Sequence, residues 1–104
     1  MEMRRVVVTG LGALTPIGND VEQYWQSLVN GVSGAALITN FDASQAKTQF
    51  ACEVKGFDAT KFFDRKEVRK YDKFSQYGIV AADQAVADCG VDLEKLNKER
   101  AGVI

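Results

Sequence analysis

Three β-branched residues, Val6-Val7-Val8, run through Thr9 into Gly10-Leu11-Gly12-Ala13-Leu14-Thr15-Pro16-Ile17-Gly18. An extended, apolar segment is followed at once by a glycine-rich turn that holds the chain's single proline. Asn19 then opens an amphipathic stretch. Strand, loop and helix in this order predict the opening unit of a layered α/β domain, because β-branched side chains favour the pleat and glycine with proline punctuates it.

The helix is expected over about 20–30. Asn19 can cap it and Glu22 can close a capping box. Val21, Tyr24, Trp25 and Leu28 share one face, and Gly31 suits the left-handed residue that ends a helix. Residues 31–48 read as irregular. Phe50-Ala51-Cys52-Glu53-Val54-Lys55 alternates, which predicts a half-buried strand with Phe50, Cys52 and Val54 on one side. Residues 58–72 should hold one or two short helices. A long helix follows over about 73–89, ended by Gly90. Gly78, Ala81, Ala82, Ala85 and Cys89 give it a seam of small residues that lets a neighbour approach closely, so it is expected to be central and largely buried, with Asp83, Gln84 and Asp88 nearer water or partner groups. A last strand begins near Ala101 and the chain stops within it, as a fragment would. The expected order is β-α-β-α-β, an α/β layered fold.

Composition narrows the function. The 104 residues suit one domain, 46% hydrophobic and 26% charged, and a net charge of −1 offers nothing in general to nucleic acid or an anionic membrane. The run Val6-Val7-Val8 is too short for a signal peptide or a membrane span. Cys52 and Cys89 form no metal spacing and no CxxC pair, so a reduced, cytoplasmic protein is the default reading. There is no histidine. Ser–His–Asp catalysis, Cys–His catalysis and histidine-based metal sites therefore have no base or ligand here. Cys89 would lie at the carboxyl end of its helix, where the dipole disfavours a thiolate, and both cysteines read as small core residues. Gly10-Leu11-Gly12 invites a dinucleotide reading, but the third glycine of that fingerprint is replaced by Thr15, and no acidic residue stands about twenty positions on at a strand end. Glycines serving a tight turn explain the loop better.

One segment departs from the average. Residues 61–73 carry six basic and three acidic side chains, a local charge of +3. Lys66, Arg69, Lys70 and Lys73 follow i, i+3, i+4, i+7 spacing and, if helical, line one face, with Arg65 beside them. Like charges so placed repel by about a few tenths of a kcal/mol per pair. Such a stripe steers an anionic partner. It can equally be a solvated helix face that Glu67 partly balances. Phe62, Phe63, Tyr71 and Phe74 are spaced like core residues, and a single short patch is a weak case for nucleic acid.

Arg5-Val6-Val7-Val8-Thr9-Gly10-Leu11-Gly12-Ala13-Leu14-Thr15-Pro16-Ile17-Gly18 resembles the start of the β-ketoacyl–acyl carrier protein synthases. Ser33-Gly34, Phe41-Asp42, the run from Arg65 to Phe74, Gln76-Tyr77-Gly78-Ile79-Val80-Ala81, Ala85 and Asp88-Cys89-Gly90 continue the likeness in order, nearer the type II branch of the family than the type I. The resemblance implies a thiolase-like fold built from two similar α/β halves and working as a homodimer, with residues 1–104 the amino-terminal portion of the first half. It implies decarboxylative condensation of malonyl–acyl carrier protein with an acyl chain held on a cysteine, in fatty acid elongation. The nucleophilic cysteine, two histidines and oxyanion-hole amides stand later in the family's chain, so the resemblance assigns no catalytic residue, cofactor or metal ligand to residues 1–104. One carry-over falls on them: the helix holding Lys66, Arg69 and Lys70 receives the acidic surface of acyl carrier protein, with Arg65 and Lys73 as accessory contacts. A non-catalytic module that binds the carrier protein is the alternative, and a nucleotide-binding domain is a third reading.

Overall fold

The computed structural model describes residues 2–104. Three α-helices form where the periodicity is strongest: α1 at Val21–Val29, α2 at Arg65–Lys70 and α3 at Lys73–Cys89. Two short strands, β1 at Ala35–Leu37 and β2 at Phe50–Cys52, pair antiparallel with Ala36 opposite Ala51. Single 3₁₀ turns occupy Ala59–Lys61 and Lys98–Arg100.

The helix ends follow local chemistry. Gly31 and Gly90 adopt φ of 66° and 65°, the left-handed conformation that releases the chain from α1 and α3. The amino-terminal cap of α1 is Asp20 instead of Asn19: its carboxylate accepts the Gln23 N–H at 2.8 Å, and the Gln23 side chain accepts the Asn19 N–H at 3.2 Å. Both neighbours are good caps, and Asp20 wins by placing a full negative charge at the helix start while leaving Asn19 free to reach Lys55.

The expected strands at Val6-Val7-Val8 and from Ala101 are unpaired among the described residues. A strand exists by ladder bonding, and neither segment has a ladder partner there. Val6 remains 90% exposed. The element order among the described residues thus departs from β-α-β-α-β, while the mixture of helix and sheet remains that of the α/β class. β1 was not foreseen within 31–48; its Ala-Ala-Leu carries little strand signal, and pairing with β2 supplies what propensity lacks. β2 is shorter than expected, and Phe50 and Cys52 are exposed on a two-stranded ribbon with nothing stacked on that face.

The glycines of the amino-terminal loop serve mainly close approach, with the turn lying just beyond them. Gly10 and Gly12 rest on α3 so tightly that a Cβ on either would overlap the carbonyl of Ala85 or Ala81. The small seam of α3 is what they rest on. Two side chains of α3 fasten the loop: Asp88 accepts the Leu11 N–H at 2.9 Å and Gln84 accepts the Ala13 N–H at 3.0 Å. Gln84 also donates to the Asn19 carbonyl at 2.8 Å. The turn itself is Thr15 to Gly18, closed by paired backbone bonds of 2.8 and 3.3 Å. Gly78 and Ala82, on the other side of the seam, face outward, so α3 is less buried than expected; Val80 and Gln76 are its buried residues.

Lys55 ties three segments together. Its ammonium donates to the carbonyls of Pro16, Gly34 and Glu53 at 3.2, 3.0 and 3.1 Å, while its own carbonyl accepts from Asn19 Nδ2 at 2.8 Å. The Glu53 carboxylate in turn accepts the Thr39 hydroxyl at 2.7 Å and the Thr39 N–H at 3.0 Å, which folds the chain after β1 back on β2. The accessible surface is 9118 Å², against about 5,800 Å² for a folded monomer of this mass. The radius of gyration is 17.7 Å, against about 13 Å for a compact domain of this length. These residues expose far more surface than a self-contained domain of their size, and Val6, Leu37, Phe50 and Phe74 are among the large apolar side chains on it.

Candidate functional site

The five cations picked out by charge counting all stand exposed. Arg65, Lys66, Arg69 and Lys70 lie on α2. Lys73 does not share that helix: Tyr71 is extended, with ψ of 131°, so α2 ends and α3 begins afresh at Lys73. The i+7 spacing therefore does not make one continuous stripe, and Lys73 flanks the patch from a second helix.

A six-residue helix is too short to persist by propensity, and both its ends are held. At its start Asp64 and Glu67 form a reciprocal capping box: the Glu67 N–H donates to the Asp64 carboxylate at 2.8 Å, and the Asp64 N–H donates to the Glu67 carboxylate at 3.2 Å. Glu67 is thus turned back on the cap. Among the described residues the one ion pair is Lys95–Asp92, at 4.0 Å, so the charge of Arg65, Lys66, Arg69, Lys70 and Lys73 stays uncompensated at contact range. The expected balancing by Glu67 does not occur.

At its far end the helix is held by Gln76. This side chain is 5% exposed, and its Nε2 donates to the Val68 and Tyr71 carbonyls at 3.2 and 3.0 Å. It satisfies two of the carbonyls that a helix terminus leaves orphaned. Sequence reading passed over Gln76. The available signal was an amide four residues before Val80 on one apolar face, where a polar group has to find partners. Tyr71 adds an edge-on contact with Phe63, centroids 6.0 Å apart, and lies 5.5 Å from Lys70 Nζ. A cation over a ring at an exposed site contributes about 0.5–1 kcal/mol and restrains the lysine.

The 3₁₀ turn packs beside α2. Asp58 caps it, accepting the Thr60 hydroxyl at 2.6 Å and the Thr60 N–H at 3.0 Å. These bonds, the hydroxyl's first, hold the Asp58 carboxyl below the usual carboxylate range. Phe57 stacks on Phe62 at 5.7 Å and meets Tyr77 edge-on at 5.1 Å. Phe62 and Phe74, expected in a core, are 55% and 75% exposed. Between turn and helix lies a hollow of about 270 Å³ lined by Thr60, Arg65, Val68 and Arg69.

The other candidate chemistries fare differently. The loop amides that a pyrophosphate would need at Leu11 and Ala13 are given to Asp88 and Gln84, and α3 fills the space in front of the glycines. Cys52 is exposed on β2, contrary to its expected core position; Cys89 is half-buried and its thiol donates to the Val86 carbonyl at 3.0 Å. Among the described residues no three potential metal ligands gather, and no helix is long and apolar enough to cross a membrane.

A model of the β-ketoacyl synthase amino-terminal domain matches residues 3–104. The chain belongs to the β-ketoacyl synthase family. Among its relatives, the 3-oxoacyl-acyl-carrier-protein synthase 2 of Synechocystis sp. is 48% identical over 104 residues, all of this chain and 25% of that protein. The Vibrio harveyi protein of the same name is 48% identical over 103 residues, 99% of this chain and 25% of that protein. This β-ketoacyl synthase chain therefore spans about a quarter of the length of the curated relatives it matches. Solved structures agree. The ishigamide ketosynthase/chain length factor superposes with a TM-score of 0.78 at 38% identity, covering 89% of this chain and 23% of that one. A type II PKS acyl-carrier protein in complex with its ketosynthase bound to the hexaketide gives a TM-score of 0.69 at 32% identity, covering 94% of this chain and 24% of that one. The thiolase-like α/β fold expected from the sequence is the fold of these neighbours.

Proposed function

We propose that residues 1–104 form the opening portion of the first thiolase-like half of a 3-oxoacyl–acyl carrier protein synthase, a cytoplasmic homodimer that elongates fatty acids. In that reaction an acyl chain passes from its carrier thioester to a cysteine thiolate. Loss of carbon dioxide from malonyl–acyl carrier protein leaves a carbanion that attacks the acyl-enzyme carbonyl, and the cysteine departs as the new carbon–carbon bond closes. The bond-making groups belong to other parts of the synthase. These residues contribute scaffold and the docking face for acyl carrier protein on α2.

The observation that carries the docking assignment is the set of uncompensated cations on a helix fixed at both ends. Glu67, the one acidic side chain within α2, is spent on the cap, and Lys66, Arg69 and Lys70 project beside Arg65 with Lys73 at the margin. Support from relatives runs the same way, since one of the neighbouring ketosynthases is solved in complex with an acyl-carrier protein.

The test is kinetic. Lys66→Glu, Arg69→Glu and Lys70→Glu in the complete synthase should raise KM for carrier-linked substrates and leave kcat nearly unchanged, because rim charges act on association. Each exposed pair is worth about 0.2–1 kcal/mol, so the triple variant should lose about threefold to 150-fold. The loss should shrink as salt rises. Unaltered kinetics in the triple variant would make α2 an ordinary solvated face.

A further inference from the structure

The hollow between the 3₁₀ turn Ala59–Lys61 and α2 is lined by Thr60 from the turn and by Arg65, Val68 and Arg69 from the helix, two of them cations one helical turn apart. Val68, half-buried, is its aliphatic lining. Its volume, about 270 Å³, falls below the range of small-molecule sites, which begins at about 300 Å³. It suits one inserted side chain better than a free ligand. The stems of the two arginines are aliphatic, and their guanidinium heads reach water, so the interior is less polar than its rim. Protein interfaces need such a place. Charge steers the encounter, but a partner is retained by a desolvated centre that excludes water.

Resting on the docking reading above, we propose that this hollow receives one apolar side chain of the acyl carrier protein, flanked there by carboxylates that meet Arg65 and Arg69. The partner's chemistry follows from the lining: four exposed cations on α2 and none of them paired call for an acidic surface, and the aliphatic Val68 side chain calls for an apolar tip. Arg65 is then a rim contact in its own right. The cations set the rate of arrival and the hollow sets the rate of departure.

Filling the hollow separates the two roles. Thr60→Trp fills it from the 3₁₀ turn and Val68→Trp from α2, and both positions are at least partly exposed, so failure of both to fold is not expected; circular dichroism melting checks each. Binding of purified acyl carrier protein to the complete synthase is followed by surface plasmon resonance at several salt concentrations, with Lys66→Glu as comparator. A roughly tenfold faster dissociation in either filled variant, with the salt dependence of association unchanged, supports the proposal. If Lys66→Glu slows association while both filled variants dissociate like the parent, the hollow is overturned and the docking face stands. If none of the three variants alters binding, both readings fall.

Discussion

Gly12 offers the sharpest test of how the amino-terminal loop is held. In Gly12→Ala the added methyl would meet the Ala81 carbonyl and the Ala85 backbone nitrogen, both part of the α3 main chain, which cannot swing aside as a side chain can. The loop must lift. Overpacking of this kind costs about 1–3 kcal/mol. Lifting also strains the bonds from Leu11 to Asp88 and from Ala13 to Gln84, worth about 0.5–1.5 kcal/mol each. Together the substitution should destabilise by about 2–6 kcal/mol, a large share of the 5–15 kcal/mol that holds a typical domain. Gly78→Ala is the internal control. The same substitution, on the outward side of α3, meets nothing within 4 Å and should stabilise the helix by up to about 1 kcal/mol. Thermal and denaturant unfolding of the two variants in the complete protein would read opposite signs. Equal stability for Gly12→Ala and the parent would refute the claim that close approach, and not a turn, is what the glycine supplies.

Three other outcomes follow from the bonds around the site. Gln76→Leu keeps the volume and apolar character of a buried position but strands the Val68 and Tyr71 carbonyls, so it should cost about 1–3 kcal/mol by thermal unfolding and raise KM for carrier-linked substrates through a loosened α2. Lys55→Arg should not substitute for lysine, because a planar fork cannot reach the Pro16, Gly34 and Glu53 carbonyls that a tetrahedral ammonium meets together; hydrogen exchange at 33–35 and 53–55 should speed up as much as in Lys55→Met. The Thr39 hydroxyl first, then its N–H, hold the Glu53 carboxyl below its ordinary 4.5. The staple is therefore present in full above that value and is lost as pH falls through the lower folded-state value. The protection of the Thr39 and Asn40 amides, taken relative to their intrinsic exchange rate at each pH, should fall over that acid range in the parent and be already low throughout it in Glu53→Gln.

What could be read in the chain was what neighbours in sequence decide. Gly31 and Gly90 end their helices because glycine is the residue most at ease at φ near +65°, and that preference is visible before any fold is known. The charge of α2 was equally plain. Less visible was anything that depends on a distant partner. Asn19 and Asp20 are both competent caps, and only the reach of Asn19 to the Lys55 carbonyl, 36 residues away, separates them. Gly10 and Gly12 have the local signature of turn residues, and only α3 lying across them shows their use; the small seam at Ala81 and Ala85 is legible in the sequence, but its occupant is not. Lys73 kept perfect helical spacing with Lys66 and Lys70, yet the extended Tyr71 and the buried Gln76 below it break the helix between them. Periodicity registers charges on a wheel and says nothing of a kink made by a side chain from the next element.

The unpaired terminal segments and the cationic face of α2 express one division of labour. Val6, Val7 and Val8 lie open on a surface about half as large again as a compact domain of this mass would show, and their backbone has no ladder partner among the described residues. α2 is the reverse: capped by Asp64 and Glu67, closed by Gln76, and braced by Phe63 against Tyr71, it needs nothing further to present its cations. Apolar strand edges left without partners call for burial, whereas unpaired lysines and arginines call for solvent and a visiting anion. The same 104 residues therefore carry an apolar face that calls for cover and a cationic face that, on the docking reading proposed above, is met transiently. α3 connects them: Ala81, Ala85 and Gln84 seat the glycine loop near one end, while Gln76, two turns earlier, fixes the tail of α2. On the docking reading, a carrier protein bound on α2 would touch the helix that seats the loop through the Gln76 bonds to the Val68 and Tyr71 carbonyls.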